Sequence, residues 1–249
     1  MIIHQEIKMN IIYSPMEHFD IFRIGSLNIE INNVVLYLMI AASLPIMLFL
    51  ITSMEVRVVS NWLTLLNETL YRTVLLMVDN YIGRKFTIYF PLIYTIFYLV
   101  LFSNLIGMVP YSSTPTVEFV ITLSIALCLL MGVLIVGILS HKTLLFAAFL
   151  PAGTPLLLIP LLVPLEIMAY LTRTLALGLR LSVNMITGHT LVKVCSSFIY
   201  VAYTKGVSFF ILILPLFILT LFLALELLIA YLQAYIFTFI TCITLKDMA

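Results

Sequence analysis

The chain has 249 residues, 63% of them apolar and only 9% charged, with a mean hydropathy of +1.22. Soluble domains carry roughly 25% charge, so a water-soluble protein is excluded. Lys and Arg total 12 against 11 for Asp and Glu, a balance with no basic field for nucleic acid phosphates. Cys128, Cys195 and Cys242 lie inside apolar runs without metal-ligand spacing. They read as small hydrophobes, neither a disulfide framework nor a metal site.

A spanning helix needs about 20 predominantly apolar residues, because lipid offers no partner to an unpaired backbone amide. The first 33 residues mix polar and apolar side chains and lack the apolar core of a secretory signal, so they are expected to form a surface segment. Val34 to Met54 is the first predicted span, Phe86 to Val109 the second and Phe119 to Ser140 the third. Arg57, Arg72, Arg84 and Lys85 fall between the first two spans, and the link from Pro110 to Glu118 has no Lys or Arg. The positive-inside rule therefore places the first link inside and the N-terminus outside. Within that first link, Trp62, Leu65, Leu66, Thr69, Leu70, Thr73, Leu76 and Met77 recur near helical spacing, with Glu68, Arg72 and Asp79 around the rest. This stretch to Val78 predicts an amphipathic interfacial helix, a seat for partner helices.

From Thr143 the pattern changes, with Pro151, Pro155, Pro160 and Pro164 in a nearly apolar run. That run is expected to be broken, since proline removes a helix hydrogen bond and clashes with the preceding turn. Two long helical stretches follow, about Leu165 to Tyr203 and Gly206 to Leu245. The second would reach roughly 60 Å, twice the hydrocarbon thickness. A steep tilt, a kink near Pro215 or a break into two spans would each accommodate it.

The few charges in this region carry the information. Apart from tyrosines, Leu165 to Tyr203 holds Glu166, Arg173, Arg180, His189 and Lys193, and Gly206 to Leu245 holds only Glu226 as an ionisable residue. A charge at bilayer centre costs about 2.5 to 3.5 kcal/mol on insertion scales, so each needs a reason. Arg173, Arg180 and Asn184 fall on one helix face, whereas His189 is about half a turn away from Arg180 and roughly 13 Å along. Arg173 could snorkel or make a structural pair. His189 could be a satisfied buried histidine, Glu226 could pair with an arginine for packing alone, and Gln233, on the Glu226 face, could be an interhelical hydrogen bond. A lone carboxylate among apolar residues is otherwise a proton-relay candidate. Asn104 and Glu118 are weaker candidates. No phosphate loop, dinucleotide fingerprint, HExxH or GxSxG is present, so no covalent catalysis is expected of the chain alone.

The run Leu177-Gly-Leu-Arg-Leu-Ser-Val-Asn-Met-Ile-Thr-Gly-His189 closely resembles subunit a of F-type ATP synthases, the membrane stator that faces the rotating ring of c subunits. Pro151-Ala-Gly-Thr-Pro-Leu, Glu226 with Leu232-Gln-Ala-Tyr-Ile-Phe, Tyr89-Phe-Pro and Asn104-Leu-Ile-Gly-Met-Val-Pro-Tyr111 are similar too, and the likeness runs from about Ser14-Pro-Met-Glu-His-Phe to Lys246-Asp247.

The resemblance implies an all-α integral membrane protein forming one domain over 1–249. It would have three conventional spans, an interfacial helix and two long, steeply tilted helices in a hairpin against the c-ring. It implies that Arg180 is the essential stator charge between two offset aqueous half-channels. Asn184, His189, Gln233, Glu226 and Glu166 would line the proton path, with Glu166 the candidate for the opposite half-channel; Arg173 and Asn104 are secondary. The histidine after Asn-Met-x-x-Gly and the acid seven residues before Gln look like the mitochondrial arrangement, implying the mitochondrial inner membrane. Some mitochondrial relatives lose a leader before the equivalent of Ser14-Pro15; such cleavage is not assumed for this chain. The implied partners are the c-ring, peripheral-stalk and other small membrane subunits, lipid and protons, with no cofactor. Val183 departs from the small residue usual before the Asn, and Lys193 stands where aliphatic residues are usual. Rival readings are a secondary transporter or antiporter subunit, which usually shows an internal repeat not found here, and a non-conducting assembly subunit.

Overall fold

The computed structural model describes residues 23–24, 31–54, 61–81, 88–109, 112, 114–141, 158–206 and 209–248. Most of the N-terminal surface segment, the Arg57, Arg84 and Lys85 link, and Pro151 and Pro155 lie outside the described residues. The described chain is helical apart from a two-residue antiparallel ladder, β1 (Arg23–Ile24) on β2 (Ile31–Asn32), which pairs Arg23 with Asn32 and Ile24 with Ile31. The helices are α1 (Asn33–Met54), α2 (Trp62–Tyr81), α3 (Phe90–Gly107), α4 (Phe119–His141), α5 (Ile159–Thr204) and α6 (Phe209–Met248), with a 3-10 turn at Pro115–Val117. All but α2 among these helices are long and apolar enough to cross a membrane, so the protein is an all-α membrane protein.

Local chemistry sets the helix ends. Pro91 and Pro160 sit in the first turns of α3 and α5, where an amide hydrogen has no partner within the helix. The predicted break therefore differs from the structure at its C-terminal end: α5 starts at Ile159, not Leu165, and Pro164 is accommodated inside it. The cost at Pro164 is one bond to the Pro160 carbonyl near the fraying end of a helix of 46 residues. At the other end Gly206 takes φ +74, a left-handed conformation suited to glycine, and the Lys205 and Gly206 amides donate to the Val201 and Tyr203 carbonyls. The chain then reverses into α6. That helix runs 40 residues through Pro215 without interruption, which removes the break into two spans from the options the sequence left open. The C-terminal end of α3 is tied down by Ser112, whose hydroxyl donates to the carbonyls of Ile106 at 2.5 Å and Val109 at 2.8 Å.

Helix α3 is the hub, with half of its length buried. Ile93, Phe97, Tyr98, Val100 and Leu101 join one apolar core with Val74, Met77 and Val78 of α2, Leu177 and Leu181 of α5, and Ala234 and Phe237 of α6. Helix α2 uses its apolar side chains in two directions. It packs inward through Val74, Met77 and Val78, while Trp62, Leu65, Leu66 and Leu76 stay exposed. Asn67 anchors it: its amide nitrogen donates to Thr52 Oγ1 of α1 at 3.1 Å, and Tyr98 of α3 donates to its Oδ1 at 2.6 Å. On the outer face of α2, Arg72 pairs with Glu68 at 3.3 Å, an exposed contact of small energetic value.

Candidate functional site

The long helices α5 and α6 pack side by side, and Gly188 and His189 of α5 meet Glu226 of α6. Gly188 lacks a Cβ, and a methyl placed there would stand 3.0 Å from Glu226 Oε1 and 3.3 Å from its Cδ. The carboxylate thus lies almost against the α5 backbone. The next residue, His189, brings Nδ1 to 3.0 Å from Glu226 Oε1, with side chains only 13% and 6% exposed. Heavy atoms at that separation are within reach of direct proton transfer.

Neighbouring elements fix this pair from a third side. Asn104 of α3 is fully buried and donates through Nδ2 to the Ala230 carbonyl at 3.3 Å, one turn beyond Glu226. Gly107, on the same face of α3, makes room for the Thr114 side chain beside the imidazole. A Cβ there would overlap Thr114 and approach His189 Nε2 to 3.4 Å. The 3-10 turn packs Val117 between Met185 and Ala230, and Ser182 of α5 donates to the Val117 carbonyl at 2.7 Å.

The remaining sequence candidates fall elsewhere. Gln233 is buried on α6, two turns past Glu226, and Asn184 and Glu166 are half-buried on α5. Glu166 lies roughly 35 Å from His189 along the helix axis, too far to act on the same proton. Arg173 and Arg180 are exposed. The outward side of α5 around Arg180 is mixed: Leu179, Val183 and Leu191 are exposed, and so are Arg173 and Thr187. Lys193 is half-buried one turn beyond His189. Among the described residues no three His, Cys, Asp or Glu side chains come together as a metal site.

The arrangement therefore separates two kinds of chemistry: an acid in contact with a histidine inside the helix packing, and a permanent cation exposed on the outward side of α5. The family description ATP synthase A chain matches residues 34–246. The chain belongs to that family. Relatives in it named ATP synthase subunit a include one from Chondrus crispus, 40% identical over 96% of this chain and 96% of its own length. Another, from Zancudomyces culisetae, is 38% identical over 95% of this chain and 98% of its own length. A third, from Emericella nidulans, is 38% identical over 96% and 97%.

Gly107, Ser182 and Gly188 stand in the sequence only as members of the quoted motifs, with no role of their own, and Thr114 and Thr116 fall outside those motifs. A signal existed for Gly188, since a helical glycine inside an apolar span marks close backbone approach. Helical register alone has no means of showing that the approaching group is the carboxylate of a residue on the next helix.

Proposed function

We propose that this chain is the proton-translocating stator subunit of a rotary F-type ATP synthase in the mitochondrial inner membrane. The observation that carries the reading is Arg180, exposed near the middle of α5, a helix long and apolar enough to cross a membrane, with Leu179, Val183 and Leu191 exposed around it. Leaving a guanidinium against lipid is costly, and no change of protonation relieves it, so that face needs a carboxylate from another subunit. The carboxylates of a rotating c-ring meet that requirement.

In this mechanism α5 and α6 lie steeply tilted along the ring, which accommodates their lengths within the membrane. Protons reach a ring carboxylate through one aqueous half-channel and leave through a second, offset one. The His189–Glu226 pair relays protons in one of them, with Asn184 and Gln233 as polar neighbours and Glu166 serving the opposite one; Arg173 and Asn104 have supporting roles. Arg180 attracts each deprotonated ring carboxylate as it passes and repels a proton attempting the direct route between the channels. A proton crossing about 100 mV releases roughly 2.3 kcal/mol, which turns the ring and drives ATP formation in other subunits. The exposed stripe of α2 receives peripheral-stalk or small membrane subunits.

The placement is testable by cross-linking in assembled complexes whose native cysteines are replaced. Val183→Cys, on the Arg180 face, should form a disulfide with a cysteine placed beside the ring carboxylate. Ile135→Cys on α4, also exposed, should not. Cross-linking from Ile135→Cys alone would refute the assignment of the ring-facing side.

A further inference from the structure

Buried hydroxyls in this protein follow one habit with two exceptions. Among the described residues, the other buried serines and threonines donate to backbone carbonyls, as Ser103 does to Leu99 and Thr241 to Thr238. Ser182 reaches the Val117 carbonyl instead of its own helix. Thr114 and Thr116 are 4% and 1% exposed, yet their Oγ1 atoms have no hydrogen-bond partner among the described residues; nor does Oδ1 of Asn104, at 0% exposure. Thr116 sits in a three-residue 3-10 turn and Thr114 immediately precedes it.

The residues that carry these atoms lie on segments that pack around the acid–histidine pair. The Thr114 side chain, through its methyl and Cβ, and His189 Nε2 both border the space in front of Gly107. Thr116 precedes Val117, which packs on Met185 and Ala230, one turn before His189 and one turn after Glu226. Native proteins rarely leave buried polar atoms unpaired, and an ordered water needs two to four polar partners. We propose that the Thr114–Val117 segment forms a wall of the proton path, with the hydroxyls of Thr114 and Thr116 and the amide oxygen of Asn104 holding water against His189 and Glu226. A hydroxyl donates one hydrogen bond and accepts others, so a threonine can orient a water file without gaining or losing a proton itself. Thr114 and Thr116 are then positioning residues acting through water on the pair. The inference rests on the proton-path reading of His189 and Glu226.

The test is proton flux through assembled complexes in membrane vesicles, comparing Thr114→Val with Thr116→Val, the double valine variant, the matching serine variants and Glu226→Gln. Valine keeps the branched shape and removes the hydroxyl. The double valine variant should lose about fivefold or more in flux per assembled complex, the scale of losing one or two hydrogen bonds from ordered water, and serine should restore most of it. Unchanged flux in the double valine variant alongside a block in Glu226→Gln would overturn the wall and leave the proton-path reading standing. Normal flux in Glu226→Gln would instead overturn the reading beneath it. Should the valine variant fail to assemble, Thr116→Cys in a chain without Cys128, Cys195 and Cys242 decides: inhibition by silver ions reaching it through water supports the wall, and insensitivity contradicts it.

Discussion

Gly188 on α5 and Glu226 on α6 approach so closely that a single added methyl would stand 3.0 Å from the carboxylate oxygen. That oxygen also faces His189 Nδ1 at 3.0 Å, so the glycine sets where the acid meets the base. Gly188→Ala should push the carboxylate away and misalign the pair. Overpacking of this kind costs about 1 to 3 kcal/mol, and we expect proton-driven ATP synthesis to fall about tenfold while assembly is largely retained. Synthesis rates normalised to assembled complex check this; wild-type rates would show that the close approach is incidental.

His189 and Glu226 should behave as one unit. Each of His189→Gln and Glu226→Gln should lower proton flux strongly, and the double variant should be little worse than the more severe single one, because groups in one relay are non-additive. A double-mutant cycle on flux is the measurement. Additive losses would mean that the two side chains serve separate steps despite their contact.

The Tyr98–Asn67–Thr52 chain makes a contrasting prediction. It joins α1, α2 and α3 away from the acid–histidine pair. Interhelical hydrogen bonds in membranes contribute about 0.6 kcal/mol on average, and Asn67→Leu removes both side-chain bonds of Asn67. Complex yield and thermal resistance should drop, with flux per assembled complex unchanged. Tyr98→Phe should be milder, since it leaves the Thr52 bond in place. Detergent-gel yields together with flux distinguish this from a conduction defect.

The sequence exposed what depends on composition along the chain. Five membrane-length helices follow from runs of apolar residues that only closed backbone hydrogen bonding can carry through lipid. Arg180, Glu226 and His189 stood out because charge there is costly. What could not be read was anything set between helices. Pro160 reads as part of a break because it stands in a run with Pro151, Pro155 and Pro164, yet in the first turn of α5 it costs no hydrogen bond. Helical spacing places His189 away from Arg180, but only packing brings it to Glu226. The roles of Gly107 and Gly188 depend on groups from other segments filling the space a Cβ would occupy. Thr114 and Thr116 carry no periodicity, and their interest comes from buried hydroxyls without a hydrogen-bond partner among the described residues.

The most direct measurement is proton-driven ATP synthesis, with passive proton leak, in membranes carrying Arg180→Ala and Arg173→Ala separately, after assembly of each complex is verified. Arg180→Ala should abolish coupled synthesis in assembled complexes without reducing leak, and Arg173→Ala should have a smaller effect. Near-normal synthesis in fully assembled Arg180→Ala complexes would contradict the stator-charge account.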